Sequence, residues 1–160
     1  MLVTIWRHGE AAPGRPDRER RLTDRGHADL SRGAAAFPPA LESRGLSLPD
    51  ALHASRWVRT WQTAAYLAEA LGLTAREEEA LIPGADAGEV EARLAGLPGA
   101  THRVLVSHQP LVSELVDRWL GEPGLVPALS PGAYAVLEAE VFAPGCARLC
   151  FWAAPPDYGL

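Results

Sequence analysis

The chain has 160 residues, 48% of them hydrophobic, and a formal net charge of −5. That length supports one well-buried core without requiring a second, so residues 1–160 are expected to form a single domain. The acidic balance speaks against a general nucleic-acid binder, which carries a basic excess. No stretch approaches the roughly 18 consecutive apolar residues of a membrane span, and the expectation is a soluble, cytoplasmic protein without signal peptide or anchor.

All fifteen basic residues are Arg. This bias fits GC-rich coding alongside the abundant Ala, Gly and Pro, yet each Arg is also a planar fork that can hold a phosphate bidentately. Which of them converge is therefore the informative question.

The first element spans Leu2 to Glu10, LVTIWRHGE, an apolar β-favouring run that reads as a buried strand ending in Arg7, His8 and Gly9. Open α/β sheets bind ligands at the carboxyl ends of their strands. An Arg and a His delivered there together point to an anionic substrate and to a nucleophile or acid/base. Ala11 to Arg21, with Pro, Gly and many charges, reads as an exposed loop. A helix follows, with Thr23 as N-cap, Asp24 in the first turn, and Ala28, Leu30, Ala34, Ala35 and Phe37 as its apolar face; Pro38 and Pro39 are expected to end it.

Leu48 to Ala54 is the second strand. It delivers Ser55 as the expected N-cap of a helix that continues to Leu71 and stops at Gly72, so Arg59 falls near the anion-favouring first turn. Glu77 to Pro83 reads as a connection or edge strand, and Asp86 to Leu97 as a short helix. Arg103 to His108 repeats the opening design, an apolar run closing on a histidine, and a parallel strand here places His108 on the same sheet edge as His8. Pro110 opens an amphipathic helix that Gly121 and Pro123 close. Ala133–Phe142 and Ala147–Ala153 read as an antiparallel hairpin. The sum is an α/β fold: a mostly parallel central sheet, helices on both faces and an antiparallel edge.

Cys146 and Cys150 lie about 13 Å apart along a strand, too far for a disulfide, and read as core-facing thiols. The five histidines show no zinc-ligand spacing, so no metal site is expected. Trp57, Trp61, Trp119 and Trp152 read as core or cleft packing, and His27, His53 and His102 as surface or structural residues. Ser55 reads as a cap and not a nucleophile, since no G-x-S-x-G surrounds it.

Four ordered motifs carry a resemblance: RHGEA at 7–11, Arg20-x-Leu22-Thr23-x-x-Gly26, Ser55-x-x-x-Arg59-x-x-Gln62-Thr63, and Val106-Ser107-His108-Gln109-Pro110-Leu111-Val112. Together they resemble the histidine phosphatase superfamily and, within it, the short SixA-type branch of phosphohistidine phosphatases. The resemblance implies a three-layer, phosphoglycerate mutase-like sandwich and a phosphatase that needs neither metal nor other cofactor. By the same resemblance His8 is the nucleophile and becomes transiently phosphorylated. Arg7 and Arg59 clamp a phosphoryl group that carries about two negative charges. His108 helps neutralise that group, and Arg20 and Gln109, the latter through its backbone N–H, bind substrate.

One departure bears on the substrate. Larger superfamily members place a general acid where this chain has Ala80, with Glu79 adjacent. Without an acid an alkoxide leaves poorly, whereas an imidazole leaves readily. The short connections imply an open crevice suited to a phosphorylated side chain on a partner protein, with Arg15, Arg18 and Arg20 steering its acidic surface. The expected function is thus dephosphorylation of phosphohistidine on a protein. The alternatives are a phosphomonoesterase for a small metabolite, with Glu79 as acid, and a non-catalytic phosphate-binding module, which has no use for His8 as nucleophile.

Overall fold

The computed structural model describes residues 1–159. Its sheet has six strands: β1 (Leu2–Arg7), β2 (Ala51–Ala54), β3 (Ala75–Glu77), β4 (His102–Ser107), β5 (Tyr134–Glu138) and β6 (Arg148–Ala153). They lie in the order β3-β2-β4-β1-β5-β6. The first four are mutually parallel, β5 runs antiparallel to β1, and β6 antiparallel to β5. The expected parallel sheet with an antiparallel edge is what forms.

Side chains alternate across the sheet, as the period of a strand requires. Leu2 and Trp6 of β1 face one way, onto α1 (Asp24–Glu42) and α2 (Val58–Leu71); Val3 and Ile5 face the other, toward α3 (Ala87–Gly96) and α4 (Leu111–Leu120). The result is three layers with a core on each side of the sheet. Trp6 anchors the first core, stacked on Tyr134 at 4.3 Å and meeting the edge of Phe37 at 5.2 Å. Two buried histidine and threonine side chains pair across the same face: the His102 Nδ1–H donates to Ser47 O, which leaves Nε2 to accept from the Thr4 hydroxyl at 2.7 Å. His102 is structural, as expected.

Several boundaries differ from the sequence reading. Pro38 and Pro39 do not end α1, which runs through them to Glu42 because Phe37 and Leu41, on either side of the prolines, are both fully buried. Tertiary burial outweighs the hydrogen bonds the prolines forfeit. Ala28 and Ala35 are exposed, and the buried stripe instead uses Gly26, Leu30, Gly33, Ala34, Phe37 and Leu41. The second strand begins at Ala51; Asp50 just before it donates its amide to His102 O at 3.0 Å, and its carboxylate accepts the Thr101 and His102 amides. The Glu77–Pro83 stretch holds only the end of edge strand β3 and a 3-10 turn at Glu79–Leu81. Cys146 is exposed in the turn before β6 and Cys150 is half-buried, so the pair are not two core thiols on one strand. Trp119 is core, but Trp61 and Trp152 are exposed. Among the described residues no helix is long and apolar enough to cross a membrane.

The Arg-x-Leu-Thr-x-x-Gly motif has a packing reason. Thr23 caps α1 by accepting the Gly26 amide at 3.0 Å, while its own N–H donates to Glu10 O at 2.9 Å. That draws the first turn of α1 against the loop leaving β1, so close that a Cβ on Gly26 would lie 2.3 Å from Glu10 O. A methyl on the helix-ending Gly96 meets nothing within 4 Å. Alanine's helix preference over glycine is about 1 kcal/mol, but a methyl forced onto backbone costs about 1–3 kcal/mol. Gly26→Ala is therefore expected to unfold at lower urea than wild type and Gly96→Ala at equal or higher urea; the reverse order in equilibrium denaturation would contradict this packing.

Candidate active site

The parallel pairing of β1 with β4 sets Arg7 opposite Ser107, and the ladder continues one step further as His8 N donates to Ser107 O at 3.1 Å. His8 and His108 therefore emerge side by side at the carboxyl edge, their ring centroids 5.2 Å apart. Arg59 reaches them from the first turn of α2. Thr63, one turn on, ties the two elements together: its hydroxyl donates to Arg59 O at 2.8 Å and accepts the Gly9 amide at 3.1 Å. Gln62 does the same further out by accepting the Leu22 amide at 2.8 Å. The expected convergence of Arg7, His8, Arg59 and His108 is present.

The hydrogen bonds assign the tautomer of His8 and bear on that of His108. His8 Nδ1 lies 2.7 Å from Gly9 O, an acceptor only, so Nδ1 carries the proton and Nε2 presents a lone pair. The Arg59 Nε–H points at that lone pair from 3.4 Å. His108 Nε2 lies 2.9 Å from Ser55 Oγ, which already accepts the Trp57 amide at 3.3 Å. With one lone pair taken by the Trp57 amide, the Ser55 hydroxyl still has both a proton to give and a second lone pair; where it donates to His108 Nε2, the His108 proton sits on Nδ1. Nδ1 is buried and has no partner among the described residues. Ser55 is thus not the N-cap of α2, which starts after Trp57 without a side-chain cap; a serine before a helix has the sequence of a cap, and only the tertiary fold shows its hydroxyl turned to His108.

Burial dominates the electrostatics. It pushes the His8 imidazole down to about 4, with the charges of Arg59, Arg7 and Arg20 acting in the same direction against the hydrogen bond to Gly9 O. His108 is pushed down to about 3, by burial first and then by His8 and Arg59. Both rings are neutral at pH 7. Arg7 donates through Nη1 to Leu129 O at 2.9 Å, and its buried Nε has no partner among the described residues. Arg7 Nε–H, and His108 Nδ1–H when Ser55 donates to the other ring nitrogen, are thus buried donors without a described partner in one site that already holds two guanidiniums. A tetrahedral oxyanion supplies acceptors for such donors.

The Ala11–Arg21 loop does more than rim this site. Its 3-10 turn, Asp17–Glu19, brings Asp17 onto Arg59: Nη1 donates to Asp17 O at 2.8 Å and Nη2 to Asp17 Oδ2 at 3.1 Å. Arg59 is only 5% exposed and His8 8%, so the crevice is less open than the short connections suggest. Arg20 braces the loop, donating to Ala12 O at 2.8 Å and to Asp17 Oδ1 at 3.1 Å, and lies near enough for its charge to bear on His8. The Gln109 side chain is committed elsewhere, its Nε2 to Leu129 O at 3.2 Å and its Oε1 to the Ser113 amide. Glu79 does not join the site: its carboxylate, 84% exposed, pairs with Arg56 at 2.7 Å. Asp17 carried no mark in the sequence beyond its place in a charged loop.

No family model and no curated relative matches the sequence. Solved structures do. A protein histidine phosphatase SixA complexed with tungstate is 30% identical over 97% of each chain, with a TM-score of 0.78. The putative phosphohistidine phosphatase SixA of Agrobacterium tumefaciens superposes with the same TM-score at 23% identity, over 97% of this chain and 98% of that one. A mycobacterial glucosyl-3-phosphoglycerate phosphatase shares the fold at 20% identity and a TM-score of 0.68, over 96% of this chain and 98% of its own. With that 30% identity running the length of both chains, the protein belongs to the histidine phosphatase superfamily and is SixA-like within it.

Proposed function

We propose that the chain is a phosphatase that works through a phosphorylated His8 and removes phosphate from phosphohistidine on a partner protein. The observation that carries this is the pair of neutral imidazoles, one presenting a lone pair and the other an N–H, between Arg7 and Arg59. The bound tungstate of the 30% identical SixA supports the reading of the hollow as an oxyanion site.

The chemistry follows from the tautomers. His8 Nε2 attacks phosphorus and forms the N–P bond as the bond to the leaving group breaks; the Nδ1–H held by Gly9 O then sits on a cationic, phosphorylated ring. Arg7 and Arg59 balance the charge on the equatorial oxygens, and the unpartnered His108 Nδ1–H is a further donor to them. Water attacks the phosphoryl group in the second step, and the electron pair of the N–P bond returns to His8 Nε2. Ser55 is a positioning residue that fixes the His108 tautomer.

The leaving group decides between protein phosphohistidine and a small phosphate ester. An alkoxide needs an acid, yet by the resemblance the position of that acid falls on Ala80, and Glu79 is tied to Arg56. A phosphohistidine departs as imidazole.

Three measurements check this reading. In EDTA, wild type is expected to turn over a phosphohistidine protein faster than a panel of sugar and alkyl phosphates, and His8→Ala to lose roughly three orders of magnitude or more. Faster turnover of an alkyl phosphate sinks the leaving-group argument, and no turnover of any substrate favours a binding module. Ser55→Ala should lower kcat about tenfold with little change in KM, as expected for an oriented hydrogen-bond donor lost from the transition state; a change confined to KM contradicts the role given to His108. The depressed histidines set the acid behaviour: the unfolded chain takes up their protons near the ordinary value of about 6.5, the folded protein only near 4 and 3, so stability is lost as pH falls from about 6.5 toward 4. Ring NMR of the folded protein at about pH 5.5 should still show both as neutral, where a free imidazole is mostly protonated; a midpoint near the free value for either ring would be incompatible with its burial.

A further inference from the structure

Arg59 spans the site with its two ends committed to different partners. Its Nε–H faces the His8 lone pair at 3.4 Å, and its Nη atoms hold Asp17, through the backbone oxygen at 2.8 Å and the carboxylate Oδ2 at 3.1 Å. A phosphoryl group lying along this guanidinium has the nucleophile at the Nε end. In-line transfer requires the leaving atom opposite the nucleophile, which is the end where Asp17 stands. The carboxylate is 58% exposed and accepts one hydrogen bond on each oxygen, from Arg20 on Oδ1 and Arg59 on Oδ2. About two of its roughly four lone-pair sites remain available. The same two guanidiniums hold its carboxyl below the usual carboxylate range, so it is an anion throughout the working pH range.

We propose that Asp17 is a specificity-determining residue that selects the leaving group by accepting the Nδ1–H of an Nε2-phosphorylated histidine. This rests on the phosphohistidine reading above. A histidine phosphorylated on Nε2 and protonated on Nδ1 is a cationic ring, and its N–H is a donor that Asp17 can hold in a charge-assisted hydrogen bond. Transfer then needs no proton from the protein. The bond from phosphorus to the substrate Nε2 breaks, its electron pair stays on that nitrogen, and the ring departs as neutral imidazole with its proton still on Nδ1. At the other end His8 gains the phosphoryl group and the positive ring charge, with Gly9 O holding its Nδ1–H. The two rings exchange roles, each with an acceptor behind it. An alkyl or aryl phosphate brings no cationic donor and meets the Asp17 charge as a repulsion.

The test compares kcat/KM for a peptide carrying Nε2-phosphohistidine with kcat/KM for p-nitrophenyl phosphate, in wild type, Asp17→Asn and Asp17→Glu. Asp17→Asn keeps the shape and loses the charge; the ratio of the two constants is expected to fall about tenfold or more, the scale of one charge-assisted hydrogen bond. Asp17→Glu keeps the charge and should hold the ratio within about threefold of wild type, since its longer side chain disturbs geometry more than electrostatics. If Asp17 serves only to brace Arg59, both substrates lose together and the ratio stands, which overturns the proposal, as does a Glu variant that loses as much of the ratio as Asn. A wild type with no preference for the phosphohistidine peptide overturns the phosphohistidine reading itself; a preference that survives in Asp17→Asn overturns this inference alone.

Discussion

The site depends on the register of two parallel strands. Because Arg7 is paired with Ser107 and the ladder carries on through His8, the residues after both strands leave the sheet at the same level and on the same edge. A slip of one residue turns every side chain of a strand to the opposite face, and here it would separate His8 from His108 and turn Trp6 and Ile5 each into the core built for the other. The cores on either side of the sheet therefore guard the catalytic geometry. Trp6, stacked on Tyr134 and edge-to-face with Phe37, fixes one face of β1, and Ile5, among the buried residues of α4, fixes the other. Thr63 then locks the remaining degree of freedom, the approach of α2 to the loop after β1.

The same burial creates an electrostatic imbalance. Two guanidiniums and two imidazoles occupy a space from which water is largely excluded, and the rings respond by staying neutral. Guanidiniums cannot do so at any accessible pH. Their charge is met partly by carbonyl oxygens, Leu129 O for Arg7 and Asp17 O for Arg59, and by the single Asp17 carboxylate. Arg7 Nε and His108 Nδ1 are left without partners among the described residues, and an unsatisfied buried donor costs about 1–3 kcal/mol. The free protein is thus under a polar strain that an oxyanion relieves, and relief of this kind favours a transition state with more charge on its oxygens than the ground state has.

Much of this arrangement was legible in the amino-acid sequence, for reasons that mark where legibility ends. Strands that are buried on both faces read as short apolar runs, so β1 and β4 and the histidines that follow them were visible, as were the left-handed glycines that close α2 and α4. Arg59 was found because it stands at a fixed distance from a strand end and a helix start. What was missed depends on contacts between distant segments. Pro38 and Pro39 carry the local signature of a helix end, and only the burial of Phe37 and Leu41 overrules it. Ser55 has the local signature of a cap, and its partner lies 53 residues away. Asp17 has no local signature at all: its hydrogen bonds to Arg59 cross 42 residues of sequence.

The placement of the other carboxylates makes the leaving-group argument more than a matter of one alanine. Glu10, Glu78 and Glu79, close to the ends of the strands, are each committed to other partners. Glu10 accepts the Thr23 hydroxyl at 3.0 Å and so helps hold the start of α1. Glu78 is buried against Arg93 at 2.6 Å and accepts the Ala80 amide, and Glu79 turns outward to Arg56. A protonated carboxyl capable of donating to an alkoxide needs an apolar or anionic neighbourhood to raise its pKa. The strand-end environment here is cationic, which lowers it, as Asp17 shows. That cationic environment supports the proposed preference for a leaving group that carries its own proton, imidazole over an alcohol, on grounds of electrostatics as well as of position.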